Sequence, residues 1–171
     1  AAVAHAGQKR KGEDVAYLVH PFEAAQILTE NGAANDVICA GLLHDVLEDT
    51  PVTIEELSKE FSETIASLVL WNTEDKKCGW DERKIHTIEG IKKAPLAAKL
   101  VCCADKLSNL RSICFDLGKQ KDGFWSRFHR GYREQKWYYE SVLCSLKELE
   151  GQYPMYSELK QLCEEVFLMD E

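Results

Sequence analysis

Apolar residues recur about every 3.6 positions through most of this sequence, and few segments alternate strictly between apolar and polar residues. The segment from Pro21 to Asn31 places four apolar residues on one side: Ala24, Ala25, Ile27 and Leu28. Such a stripe is typical of amphipathic helices, so the sequence predicts an all-α fold. The 171 residues suffice for a core that folds without disulfide or metal staples, and residues 1–171 are predicted to form a single domain.

Residues that start and stop helices predict where the helices lie. Asn35 is a good N-cap for a helix that continues through the string HDVLED to Thr50-Pro51, and Thr53 with Glu56 forms a capping box that opens a short helix. The polar segment NTEDKKCGWDE, residues 72–82, is predicted to be a loop. Further helices are predicted at about 62–72, 82–93, 95–117 and 124–149, with a short final helix after Pro154.

Composition narrows the functional classes. The formal net charge of −8 argues against a broad nucleic-acid-binding surface, which needs clustered Lys and Arg, but it is compatible with a small anionic substrate held by a local basic cluster. No apolar stretch approaches the roughly 20 residues that span a bilayer, and the first residues lack the apolar core of a signal peptide. The seven cysteines show no CxxC spacing and fit a reducing compartment, so the protein is predicted to be cytoplasmic.

The string LLHDVLEDT, residues 42–50, carries the strongest chemical signal. His44 and Asp45 interrupt an apolar helix, where an ionised carboxylate is costly without a cation or a hydrogen-bonding partner. Glu48 and Asp49 follow one turn later, which gathers three carboxylates and an imidazole. A divalent ion would relieve their repulsion, and the mixed nitrogen and oxygen ligands suit manganese, iron or zinc better than magnesium or calcium alone. The His-Asp dipeptide alone fits a polar helix end equally well.

Two residues elsewhere are candidates to join this centre. His20 directly precedes Pro21, and the restricted backbone before a proline would fix the direction of its imidazole. Asp105 interrupts the apolar string AKLVCCADKLSNL, where an acidic residue with no partner would be anomalous. Taken by itself, Asp105 is better explained by an ion pair with Lys106 or Arg111.

Together, His20, His44-Asp45 and Asp105 stand in an order and spacing that resemble the HD superfamily of metal-dependent phosphohydrolases. The strings AHAGQKRKGE, YLVHP, LLHDVLEDT and KLVCCADKLSNLRSI are similar to the hydrolase domain of RelA/SpoT homologues and, given the chain length, to stand-alone small alarmone hydrolases. These strings extend from Ala4 to Ile113, about two thirds of the chain.

The resemblance implies a helical bundle that binds one manganese ion, or another divalent transition metal, through four residues: His20, His44, Asp45 and Asp105. It also implies removal of the 3′-pyrophosphate from guanosine tetra- or pentaphosphate, which leaves GDP or GTP. Glu48 and Asp49 then remain for the attacking water, one to accept its proton and the other to orient it or to protonate the leaving group. The sequence does not divide these two tasks between them.

The resemblance further implies contacts to a guanosine nucleotide. Arg10 matches an arginine that packs on the guanine, with Lys11 beside it, and a solvated basic turn is the alternative for this pair. Asn109 and Ser112 match positions that contact the nucleoside, although exposed polar residues are unremarkable on a helix. Tyr17 matches the family tyrosine that precedes the first metal-binding histidine, and core packing explains it equally well.

Two other functional interpretations stay open. The same centre could act on another nucleotide, such as the 2′-phosphate of NADPH or a nucleoside monophosphate. A nucleotide-binding module without catalysis is the third interpretation. Its signature would be a lost metal ligand or a missing Glu48-Asp49 pair, and both sets are intact here.

Overall fold

The computed structural model of this protein describes residues 1–10, 14–119 and 123–168. Within these residues the regular structure is helical, apart from one isolated antiparallel bridge between Lys9 and Ala16, and this confirms the all-α prediction. The α-helices of the described chain are α1 (Val19–Glu30), α2 (Asn35–Leu43), α3 (Val46–Asp49), α4 (Ile54–Glu60), α5 (Glu63–Trp71), α6 (Trp80–Lys93), α7 (Leu96–Lys119), α8 (Tyr132–Ser145) and α9 (Pro154–Leu168). Among them, none is long and apolar enough to cross a membrane.

The long helix α7 forms the centre of the fold. It contacts α1, α2, α5, α6 and α9, and every residue from Ala98 to Asp105 is buried. A helix that is buried on all sides belongs in the interior of a domain. Because α1 and α2 also contact each other, the candidate site residues on α1, α2 and α7 come from three helices in mutual contact.

Gly41 allows α1 and α2 to approach closely. A β-carbon built at this position would overlap Cδ1 of Leu28, a fully buried side chain of α1. Dense interiors do not absorb an extra methyl group without shifts of side chains or backbone. His44 follows Gly41 by one helical turn, so this close approach also sets how far His44 stands from α1.

The predicted helix from Asn35 to Thr50-Pro51 is in fact two helices. α2 ends at Leu43, α3 begins at Val46, and His44 and Asp45 form a turn between them. The N-cap of α2 is Ala34 and not Asn35, which is already the first helical residue. The capping box at Thr53 is confirmed, since its hydroxyl accepts from the N–H of Glu56 and the Glu56 carboxylate accepts from the N–H of Thr53.

The predicted helix over 124–149 is wrong. A 3-10 helix at Phe124–Arg127, an irregular segment, α8 and a second 3-10 helix at Lys147–Leu149 replace it. The break lets Trp125 stack on Phe167 of α9, with ring centroids 5.5 Å apart, while Phe124 is buried in the core. A continuous helix would turn only part of this aromatic run inward, so side-chain burial outweighs helical continuity.

Two other boundaries differ from the prediction. α6 begins at Trp80, inside the predicted loop, because the Trp80 ring is buried beside Trp137 and Tyr138. The last helix, α9, has 15 residues and is not short. Met155, Tyr156, Leu159, Cys163, Val166 and Phe167 of α9 are buried, so packing extends the helix to Leu168.

Candidate metal centre and adjoining clefts

The break between α2 and α3 orients the first two candidate ligands. The last carbonyl groups of a helix have no partner within it. Nδ1 of His44 lies 2.8 Å from the carbonyl oxygen of Gly41 and donates a hydrogen bond to it. This contact directs Nε2 of His44 away from α2. Asp45, in the turn, places Oδ2 3.0 Å from that Nε2 atom.

His20 and Asp105 meet this pair from two other helices. Nε2 of His20, on α1, lies 3.1 Å from Nε2 of His44 and 3.2 Å from Oδ1 of Asp105, on α7. The same Asp105 oxygen lies 3.6 Å from Nε2 of His44. Oδ2 of Asp45 lies 3.6 Å from Nε2 of His20. The structure therefore brings together all four residues that the sequence predicted as metal ligands.

Hydrogen bonds at Nδ1 fix the tautomer of both imidazoles, so that their unprotonated Nε2 atoms face each other. Ser108 donates its hydroxyl proton to Glu23, over 2.7 Å, so its oxygen accepts from Nδ1 of His20 at 2.8 Å. His44 likewise uses Nδ1 to donate to Gly41. Both Nε2 lone pairs then meet in a space where His20 and His44 are 2% and 1% exposed. Two buried lone pairs at this distance repel each other unless a proton or a cation lies between them.

The electrostatics of the centre also favour a positive charge there. Burial alone would lower the pKa of His44, but the carboxylates of Asp45 and Asp105 outweigh it and hold that pKa well above its ordinary value. Burial would raise the pKa of Asp45, yet His44 holds it below its ordinary value. A divalent ion would supply this positive charge.

The distances between the donor atoms fit a transition-metal ion. Ligands about 2.1 Å from an ion lie about 3.0 Å apart at a right angle and about 3.4 Å apart at a tetrahedral angle. Five of the six separations among the donor atoms of His20, His44, Asp45 and Asp105 run from 3.0 to 3.6 Å. The two nitrogens and two carboxylate oxygens thus form a donor set that suits a divalent ion of the first transition series.

Asp105 has the ion pair that the sequence offered as an alternative, in addition to its place in the centre. Its Oδ2 atom accepts from Nζ of Lys106 at 2.6 Å, while Oδ1 faces the imidazoles. Burial opposes ionisation of Asp105, but the ammonium group of Lys106 and the neighbouring imidazoles of His20 and His44 hold its pKa well below its ordinary value. Arg111 instead pairs with Glu23 and Glu158.

Glu48 and Asp49 lie beside the candidate ligands and line a cleft of about 170 Å³, here called the metal cleft. Oε2 of Glu48 accepts from the N–H of Glu74 at 3.1 Å. Burial, helped by the charges of Glu74 and Asp45, raises the pKa of Glu48. The Asp49 carboxylate pairs with Lys76. Both residues therefore line the cleft.

Two cations that the sequence reasoning missed also line this cleft. Arg83 and Lys84, on α6, contact Glu74 at 2.9 and 2.7 Å, and Lys106 completes the group. Burial, with Lys106 nearby, lowers the pKa of Lys84. The spacing of Lys84 could have indicated its role. It lies four residues from Trp80 and from Ile88, both on the buried face of α6, where an unpaired lysine is unfavourable.

A second cleft, of about 230 Å³, adjoins the first and shares Tyr17 and Asn109 with it. Nη2 of Arg10 lies 3.0 Å from the Ser112 hydroxyl and 3.4 Å from Oδ1 of Asn109. The Tyr17 hydroxyl donates to Oδ2 of Asp45. The walls are otherwise largely apolar: Ile113, Phe124, Phe128 and Tyr139. Lys11 lies outside the described residues, and the other four predicted substrate contacts share this cleft.

Comparisons with known proteins agree with this architecture. A family model described as HD domain matches residues 1–123. The mouse protein named guanosine-3′,5′-bis(diphosphate) 3′-pyrophosphohydrolase MESH1 is 38% identical over 169 residues, or 96% of this chain and 89% of that protein. A crystal structure from Listeria monocytogenes EGD-e has a TM-score of 0.81 at 37% identity and covers 87% of this chain and 99% of its own.

A further structure is described as a metazoan orthologue of SpoT that hydrolyses ppGpp. It has a TM-score of 0.79 at 28% identity and covers 96% of this chain and 89% of its own. The family model spans most of the chain, the mouse relative aligns over nearly all of it, and the predicted resemblance is thereby confirmed. This chain belongs to the HD domain family.

Proposed function

We propose that this protein, acting as a single domain over residues 1–171, is a manganese-dependent hydrolase that removes the 3′-pyrophosphate of guanosine 3′,5′-bis(diphosphate) and its pentaphosphate. One observation carries the proposal: the imidazoles and carboxylates of four residues converge beside a cleft that is also lined by three cations, Arg83, Lys84 and Lys106. The names of the mouse relative and of the metazoan structure point to the same substrate.

The proposed metal ligands are His20, His44, Asp45 and Asp105. A bound divalent ion would neutralise phosphoryl oxygens and lower the pKa of a coordinated water towards neutrality. The protein holds the two imidazoles in one tautomer through Ser108 and Gly41, so that both Nε2 atoms are available to the ion. Manganese suits two nitrogen and two carboxylate oxygen donors.

The reaction breaks the bond between the ribose 3′-oxygen and the nearer phosphorus of the diphosphate. Water supplies the oxygen that joins this phosphorus, and the 3′-oxygen gains a proton, which gives GDP or GTP and pyrophosphate. Glu48 is proposed to accept the proton of the water, because its raised pKa makes it a better base than an ordinary carboxylate. Asp49, held by Lys76, is proposed to orient the water or to assist the leaving oxygen.

The two adjoining clefts would each bind one end of such a substrate. The cleft at Arg10, Asn109 and Ser112 has apolar walls and a guanidinium, which suit a purine base. The metal cleft has Arg83, Lys84 and Lys106, which suit a diphosphate. Tyr17 and Asn109 belong to both clefts, so the ribose would lie beside them with its 3′-oxygen towards the metal.

The test is to purify the protein, load it with Mn²⁺ and follow pyrophosphate release from guanosine tetraphosphate. Release that EDTA abolishes and Mn²⁺ restores is expected. The variant His44→Asn should lose it, while the matched control His129→Asn, at an exposed position outside the centre, should retain it.

A substrate panel that also contains NADPH and nucleoside monophosphates tests which nucleotide the centre hydrolyses. No pyrophosphate release from a protein shown to contain the metal would contradict the proposed substrate. Phosphate release from NADPH or from a monophosphate in the same panel would then assign the centre to that substrate. No release from any member of the panel would favour a binding module.

A further inference from the structure

Three metal-binding side chains gather at the amino-terminal end of α6, outside the candidate HD centre. Cys78 lies in the bend before the helix, and Glu82 and His86 lie on its exposed side. The thiol, a carboxylate oxygen and an imidazole nitrogen all lie within 4.8 Å of one another. None of the three side chains lines the metal cleft or the adjoining one.

The spacing of these residues explains why they meet. Residues four apart lie on the same face of an α-helix, one turn above the other. Glu82 and His86 obey this spacing, and Cys78 continues it by one further turn in the segment that leads into α6. The turn at 75–78, closed by a 3.0 Å hydrogen bond from the N–H of Cys78 to the Asp75 carbonyl, holds the thiol at this end of the helix.

The chemistry of the set selects a class of ion. A thiolate, an imidazole and a carboxylate are the usual protein ligands of Zn²⁺, and Cys with His disfavours Mg²⁺ and Ca²⁺. We propose that Cys78, Glu82 and His86 bind a zinc-class divalent ion, with water as the remaining ligand. Binding releases the thiol proton to solvent, because thiolate is the ligand. Glu82 and His86 are exposed and Cys78 is half-buried, so an ion reaches them directly.

A metal ion bound at this site would restrain the loop that borders the metal cleft. The segment at 73–78 carries Glu74, whose N–H contacts Glu48, and Lys76, which pairs with Asp49. Cys78 belongs to this loop, whereas Glu82 and His86 belong to α6. An ion that joins them ties the loop to α6, and its binding is independent of which nucleotide the HD centre hydrolyses.

Cobalt spectroscopy separates the two centres, because the HD centre contains no cysteine ligand. Titration of the intact protein with Co²⁺ should produce a thiolate-to-cobalt charge-transfer band whose final intensity corresponds to one thiolate-bound ion per chain. Zn²⁺ should abolish the band, since zinc competes for thiolate sites. The variant Cys78→Ser should give no band, and His86→Asn should weaken the affinity by roughly tenfold or more.

The exposed Cys144 provides the matched control, and Cys144→Ser should keep the full band. Far-ultraviolet circular dichroism of each variant checks that the helices are retained. A missing band in the wild-type protein with Co²⁺ in excess would overturn the proposal, and so would a band that persists in Cys78→Ser. Hydrogen exchange at 73–78 should slow when Zn²⁺ binds; unchanged exchange at saturation would refute the restraint on the loop.

Discussion

The hydroxyl oxygen of Ser108 lies 2.8 Å from Nδ1 of His20, and both side chains are buried. The Ser108 hydroxyl donates a hydrogen bond to the Glu23 carboxylate, which also accepts one from Arg111 at 3.2 Å. This series of contacts runs from the partly exposed Arg111 to the candidate metal ligand and leaves the serine oxygen as an acceptor. Ser108 therefore selects the tautomer of His20 whose Nε2 atom faces His44.

Removing the hydroxyl should weaken metal binding without unfolding the protein. In Ser108→Ala the Nδ1 proton of His20 loses its buried acceptor, so the imidazole is free to take the other tautomer. Partners of metal-bound histidines typically contribute about 10- to 100-fold to metal affinity. We expect a loss of that size for Mn²⁺, measured by titration of the metal-free protein.

Ser145 provides the control for this experiment, because it is also buried but donates to the carbonyl groups of Ile88 and Ser141, away from the centre. Ser145→Ala should leave Mn²⁺ affinity unchanged. Equal affinities in Ser108→Ala and the wild-type protein would show that Ser108 does not position His20.

Gly41→Ala should destabilise the fold. The added methyl group meets Leu28, which is fully buried and has little room to move. Overpacking of this kind costs about 1–3 kcal/mol, seen as a lower midpoint in urea unfolding. Gly90→Ala on α6 is the control, because a β-carbon there meets nothing within 4 Å and should instead stabilise by about 0.5–1 kcal/mol. Equal destabilisation at both positions would contradict a specific contact between α1 and α2.

The candidate site was more predictable from the sequence than its supporting structure. His20, His44, Asp45 and Asp105 were predicted because polar residues in apolar strings signal a site and because their spacing matches a family. The turn at 44–45 was missed, since the apolar pattern runs on from α2 into α3 with helical period. Periodicity records which residues are buried, whereas the break depends on side-chain contacts made across helices.

The charged residues of the metal cleft could not be predicted from the sequence for a different reason. Lys84 and Glu74 are distant from the recognised motifs, and Glu74 lies in a polar loop. Lys106 belongs to α7, so its proximity to both residues arises when α6 packs beside α7. The aromatic run at 124–128 was misassigned for the same reason, because stacking of Trp125 on Phe167 joins segments far apart in sequence.

Glu48→Gln should slow turnover strongly and yet stabilise the metal-free fold at neutral pH. Burial raises the pKa of Glu48 in the folded state, so folding is penalised at any pH where the carboxyl would otherwise ionise. The amide of the glutamine variant is neutral, so its burial does not carry the free-energy cost of burying a charge. The gain should disappear as the pH falls below about 4, where the wild-type side chain is protonated in both states. Urea unfolding at the two pH values measures it.

The exposed Glu60 offers the comparison for Glu48, and Glu60→Gln should change neither stability nor activity. Loss of a positioned proton acceptor lowers the rate by about 10²- to 10⁴-fold. Full turnover by Glu48→Gln would transfer the proposed role to another residue, and a destabilised variant at neutral pH would contradict the buried-charge argument.

Lys84→Met should reduce hydrolysis by removing a charge from the diphosphate side of the cleft. Methionine keeps most of the apolar part of the side chain beside Trp80 and Tyr138, and Arg83 still pairs with Glu74. Loss of one positioned cation that stabilises developing negative charge lowers the rate by roughly 100-fold. We expect a fall of this size in kcat/KM and weaker inhibition by inorganic pyrophosphate. Lys92→Met, at an exposed position of the same helix, controls for lost surface charge and should retain both properties. Unchanged inhibition in Lys84→Met would place the diphosphate elsewhere in the cleft.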